Sequence, residues 1–107
     1  MKSYSSNKPD VFAVSGDEVR VHWDIQEQTV QDLEGHDLTQ WSANEALIKV
    51  HDSREKIIEK IIGSIYTIQE EIALINNKDD RPDDYADYQM VRLVAKDLAT
   101  QWVNQRD

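Results

Sequence analysis

From Ile57 to Lys78 the chain places eight isoleucines in twenty-two positions, in the stretch IIEKIIGSIYTIQEEIALINNK. Taking Ile58 as position a of a heptad, Ile58, Ile65 and Ile72 fall on a, while Ile61, Ile68 and Ile75 fall on d. A repeat of that spacing lines one side of a helix with apolar groups, and Ile57 and Ile62 widen the stripe at its first end, as in a helix that faces a globular core. The stretch also carries its own interruption. Gly63, Ser64, Tyr66 and Thr67 are mediocre helix formers, a mid-helix Gly costing about 1 kcal/mol relative to Ala. Thr67 and Glu70 have the spacing of a capping box, as do Asp52 and Glu55 at the start. The expectation is a helical stretch over 52–78, kinked or broken near 63–67, with an unbroken dry seam. An aspartate at position 68 is then expected to unfold the protein or a dimer of it.

The residues before the isoleucines read differently. Val19, Val21, Trp23 and Ile25 alternate with Arg20, His22, Asp24 and Gln26, the period of two that sorts side chains onto the faces of a strand. DLEGHD at 32–37 has turn composition, and Ala46, Ile48 and Val50 alternate again, which predicts an antiparallel hairpin over 18–50. Such a hairpin is marginal alone and needs a covering layer. Residues 1–17 are expected to be a loose tail, with VFAV at 11–14 too short to assign.

Beyond the isoleucines, Asn76 and Asn77 suit a helix end, Pro82 a first turn, and Asp83 and Asp84 the positive end of a helix dipole. Tyr88, Val91, Val94 or Ala95, Leu98 and Trp102 then mark one face of a C-terminal helix over 82–105. A short acidic connection between helical stretches of similar length implies an antiparallel pair.

Charge and composition bound the function. Twelve basic residues against twenty-one acidic ones give a net charge of -9. That balance repels nucleic acid, whose affinity for proteins rests on lysine and arginine displacing counterions. The acid is uneven: residues 1–52 hold ten acids and four bases, net -6, and residues 53–107 eleven and eight, net -3. No cysteine is present, which removes disulfides, thiolate metal sites and cysteine nucleophiles. There is no apolar run long enough to span a membrane, and MKSYSSNKPD lacks the apolar stretch of a secretory signal, so a soluble, non-secreted protein is expected.

Few residues have the spacing of chemistry. His22, His36 and His51 include no HxxxH pair, so no metal site is expected. DLEGHD resembles a calcium loop only superficially, lacking the ligand before its glycine and the closing bidentate glutamate. Asp79, Asp80, Asp83, Asp84 and Asp87 surround Arg81, a pattern that helix capping explains. The three glycines form no phosphate-binding loop and no serine sits in a GxSxG elbow. No cofactor is implied, and an enzyme is not expected. Trp23, Trp41 and Trp102 read as core or interface anchors, with an exposed Trp41 marking a partner contact.

The order VRVHWDIQE, a glycine turn, LIKV, then YTIQEEIALINNK and a terminal tyrosine-rich helix resembles small uncharacterised proteins encoded in phages and prophages of gut bacteria. The likeness covers residues 18–99 and is strongest at Tyr66, Glu71 to Lys78, Tyr85, Tyr88, Gln89, Arg92 and Lys96. It implies a structural or assembly role associated with a virion or tail, and it transfers no site residue.

The sequence therefore predicts an α+β protein, one domain over 1–107, with an N-terminal β-hairpin packed on an antiparallel helical pair. Its expected function is protein binding as a homodimer, in the cytoplasm of a bacterial host or on a virion, with an unidentified protein partner. The candidate interface is Trp23, Trp41, Ile61, Ile65, Ile68 and Trp102. A different expectation is an acidic regulatory module that blocks a basic, nucleic-acid-binding protein surface; steep salt dependence would mark it.

Overall fold

Two long strands dominate the first half of the chain. A computed structural model describes all residues, Met1–Asp107. Its elements run β1 (Lys2–Ser5), β2 (Phe12–Ser15), β3 (Glu18–Gln31), β4 (Asp37–Lys49), α1 (Arg54–Gly63), α2 (Ile68–Asn76) and α3 (Pro82–Arg106). The protein is α+β: a four-stranded antiparallel sheet in the order β1-β4-β3-β2, and three helices. The single domain expected over 1–107 is laid out as two compact units, Met1–Val50 and His51–Asp107.

In the first unit, β3 and β4 form the hairpin that the alternation predicts, with Val19 opposite Ile48, Val21 opposite Ala46 and Trp23 opposite Asn44. These apolar residues are buried. The loose tail is overturned. β1 pairs with β4, Ser5 opposite Trp41, and β2 pairs with β3, Phe12 opposite Val21. Both strands have four residues, too few for a period to show, and each covers part of an edge that the bare hairpin would leave open. Since β1 and β2 lie on opposite edges, residues 6–11 cross one face of the sheet between them as a strap.

Ile25 is also displaced from its expected face. The register slips between Trp23 and Gln26, and Asp24 takes φ 52°, so two residues of β3 bulge opposite Ala43 alone. Each bulge reverses the alternation beyond it. Gln26, Gln28 and Val30 therefore share the face of Val19, Val21 and Trp23, and Ile25 lies on the strap side with Trp41. At the far end Asp32 closes the turn: its carboxylate accepts from the Glu34 and His36 amides, both at 2.9 Å, and Gly35 supplies the φ of 83°. Those amide donors, His36 first, hold the Asp32 carboxyl below its ordinary range.

In the second unit the helical stretch is two helices. Ser53, not Asp52, caps α1, accepting from the Lys56 amide, because Asp52 is engaged elsewhere: its carboxylate takes Lys60 Nζ at 2.6 Å and its carbonyl the Arg106 guanidinium. The Thr67–Glu70 capping box forms at the start of α2 with both of its hydrogen bonds. Pro82 opens α3 and Asn77 closes α2. Arg54 reaches Thr100 at 3.0 Å and Tyr88 reaches Glu71 at 2.7 Å, so α3 runs antiparallel to the α1–α2 stretch. Tyr88, Ala95, Leu98, Ala99 and Trp102 form its buried face.

The unbroken seam does not survive the break. Ile57 and Ile61 are wholly buried and Ile62 nearly so, whereas Ile68, Ile72 and Ile75 are 72%, 53% and 48% exposed. A heptad keeps its face only while the helix is continuous. Residues 64–67 interrupt it, and α2 instead turns Leu74 inward.

Candidate interaction surfaces

The exposed isoleucines of α2 stand at i, i+4 and i+7, one stripe on one side of the helix. Beside it lies a hollow of about 460 Å³ lined by Ile58, Glu59, Ile62, Gly63, Tyr66, Ile68 and Glu71. Tyr66 is fixed there by Tyr88, edge to face with ring centroids 5.3 Å apart. Tyr88 donates to Glu71, and burial together with that hydrogen bond pushes its phenol up to about 12. Burial first, and then Asp87, Asp84 and Glu70, raise Tyr66 as well.

The second surface belongs to the sheet. His22 is buried beneath the strap, with Nδ1 at 2.8 Å from the Asp10 carbonyl and Nε2 at 3.0 Å from Glu45 Oε1. A carbonyl only accepts, so Nδ1 carries a hydrogen. Arg20 approaches the other Glu45 oxygen at 3.4 Å. The group ties β3, β4 and the strap together. Next to it, Lys8 of the strap places Nζ 5.8 Å from the Trp41 ring centroid, and Lys8, Pro9, Asp10, Val11, Ile25 and Trp41 line a hollow of about 490 Å³.

Of the six candidate interface residues, Trp23, Ile61 and Trp102 are buried in the chain itself, Ile65 and Trp41 are half-buried, and Ile68 is the one largely exposed. The surfaces are thus split: Ile65 and Ile68 belong to the helical unit and Trp41 to the sheet. Sequence reasoning missed Ile72 and Ile75 as surface residues, and the signal was there in the capping box that ends the helix before them. It also missed the strap, whose only mark is a Lys–Pro pair in a polar segment. The three histidines stay apart in role: His22 is buried, His36 lies at the hairpin turn, 3.3 Å from Asp32, and His51 is exposed beyond the end of β4. No helix is long and apolar enough to cross a membrane.

Comparison of the chain with protein-family models, with curated proteins and with solved structures finds no match.

Proposed function

We propose that this is a non-enzymatic protein-interaction protein that works as a homodimer through the isoleucine stripe of α2. The observation that carries the reading is the exposure of Ile68, Ile72 and Ile75 on one helix face. Three large aliphatics in a row on a nine-residue helix are costly to leave in water, roughly 1–2 kcal/mol each for their exposed parts. A second copy fits them best. Set antiparallel across a two-fold axis, the stripes of two copies meet face to face along the length of α2. The neighbouring hollow beside Ile58 and Ile62 accommodates isoleucines from the second copy and extends the contact beyond the stripe. The resemblance to small phage and prophage proteins supports an accessory role in assembling a particle.

Sedimentation equilibrium at tens of micromolar protein tests the reading. The parent chain is expected at twice its monomer mass, and Ile72→Glu at the monomer mass with its melting temperature within a few degrees of the parent. A monomeric parent, or an Ile72→Glu chain that remains dimeric, overturns it.

A further inference from the structure

The β3–β4 hairpin extends well past the strands that flank it. β2 covers β3 only from Glu18 to Val21, with one further bond from the His22 amide to the Val11 carbonyl at 2.8 Å. β1 covers β4 only from Trp41 to Asn44. Beyond these points the hairpin is a two-stranded arm, and from Gln26 to Gln31 β3 has β4 on one side and no strand on the other.

Which backbone groups face that open edge follows from the ladder. In an antiparallel pair the residues alternate between bonding across the pair and pointing away from it. The Asp32 amide bonds to the His36 carbonyl at 3.0 Å, and the Glu45 amide points away from β3, to the Met1 carbonyl at 2.6 Å. Counting from either end, Glu27, Thr29 and Gln31 turn their amides and carbonyls outward. Natural sheets guard such edges with lysine, proline or a bulge. Here the bulge at Asp24 and Ile25 lies before the open segment, and the segment QEQTVQ contains neither lysine nor proline.

Charge selects the occupant. From Asp24 to Ser42 the arm carries five acids, Asp24, Glu27, Asp32, Glu34 and Asp37, and no lysine or arginine. Pairing with the arm of a second copy would set five negative charges against five, whereas an extended cationic segment is drawn in. Trp41, directly opposite Glu27 in the ladder, already holds a cation over its ring: Lys8 of the protein's own strap. We propose that the open edge of β3 takes up an extended lysine- or arginine-rich segment of a partner protein as an added strand, paired to Glu27, Thr29 and Gln31. The contact is independent of the α2 stripe, so loss of dimerisation leaves it intact.

The test uses the full chain and a fluorescein-labelled octapeptide alternating lysine with threonine, followed by anisotropy. Binding with a Kd on the order of 10 μM is expected at low salt, weakened about tenfold or more at 0.5 M NaCl. Thr29→Pro removes an outward amide and no ladder bond, so it should keep the parent's melting behaviour and lose binding at least about tenfold. Thr29→Val should bind as the parent does, and Glu27→Lys should bind several-fold more weakly. Two N-methylated peptides of the same charge read the same geometry without touching the protein: methylation of alternate residues leaves one edge of amides free, methylation of every residue leaves none, and strand pairing requires that the first binds and the second does not. This second measurement decides the matter if the proline variant unfolds. No binding at 1 mM peptide overturns the proposal, and so does equal binding by both methylated peptides, which would mean charge attraction alone. A parent chain of doubled mass that becomes monomeric in Thr29→Pro, without peptide binding, overturns it in favour of a second copy.

Discussion

Helices α1 and α2 are neighbours in sequence with nearly the same length and a similar density of isoleucine, yet one buries three of its four isoleucines and the other displays all three. In α1, Ile57, Ile61 and Ile62 are buried. In α2, Ile68, Ile72 and Ile75 are out and Leu74 alone is buried. The difference arises in the four residues between them. Ser64 donates from Oγ to the Ile61 carbonyl at 2.6 Å and its amide bonds to Lys60 and Ile61, closing α1, and Thr67 then starts a new helix with a new capping box. A new helix has a new phase. Identity of side chain therefore says little about burial here; position relative to the break decides it.

The largest expected effect tests that contrast directly. Ile61→Asp places an unpaired charge at a site with no solvent contact and should cost more than about 4 kcal/mol, enough to unfold a domain of this size. Ile68→Asp, which an unbroken seam would make equally damaging, should change the monomer's stability by less than about 0.5 kcal/mol, because Ile68 is already largely in water. Urea denaturation of the two substitutions side by side in the Ile72→Glu background, where the stripe no longer dimerises, checks it. Similar losses would mean that α2 is packed as α1 is.

An effect of intermediate size lies where α3 meets the α1–α2 stretch. Tyr88 is buried against Tyr66 and donates to Glu71, and its phenol is held neutral up to about 12. An unfolded tyrosine ionises near about 10. The folded value is the higher, so the contribution is complete below pH of about 10 and is lost as pH rises through about 12. Roughly 2 kcal/mol of stability should disappear over that window, measured by denaturant midpoints between pH 9 and 12. Tyr88→Phe should be less stable at neutral pH by about 1–2 kcal/mol, since Glu71 loses its donor, and its midpoint should fall less over the alkaline range.

How much of this was legible in the sequence depends on the range of the signal. The Thr67–Glu70 box, Pro82 at the start of α3 and the buried run of Tyr88, Leu98 and Trp102 are local patterns, and each is where the residues place it. So is the alternation through Trp23. It fails one residue later because nothing in DIQ announces a bulge: Asp24 tolerates a positive φ better than most residues, but asparagine and aspartate do so in many places without one. β1 and β2 were missed for different reasons. Both have four residues, which hold two periods at most, but β1 exists through pairing with partners up to 42 positions away, Lys2 with Asn44 being the farthest, whereas β2 pairs with Glu18–Val21 across the two-residue turn Gly16–Asp17, a local signal that sequence reasoning passed over. The open acidic arm was half legible. Its charge can be counted from the sequence, but its bare edge follows from where two short strands stop.

The smallest effects concern the break that separates the two helices. Two features could be responsible for it, the poor helix formers that begin at Gly63 and the cap at Thr67. Gly63 has an ordinary backbone angle and a methyl group added to it would meet nothing, so Gly63→Ala should stabilise the protein by about 0.5–1 kcal/mol through loss of chain entropy alone. Thr67→Ala removes an acceptor for the Glu70 amide and should cost about 1 kcal/mol. If the cap maintains the break, Gly63→Ala leaves amide exchange across 64–67 as fast as in the parent, because Thr67 still prefers an extended backbone to a helical one. Combining both substitutions then slows that exchange and draws Ile68 toward the face of Ile61, which the continuous heptad assigns to it. Slow exchange in Gly63→Ala alone would instead make the glycine the cause.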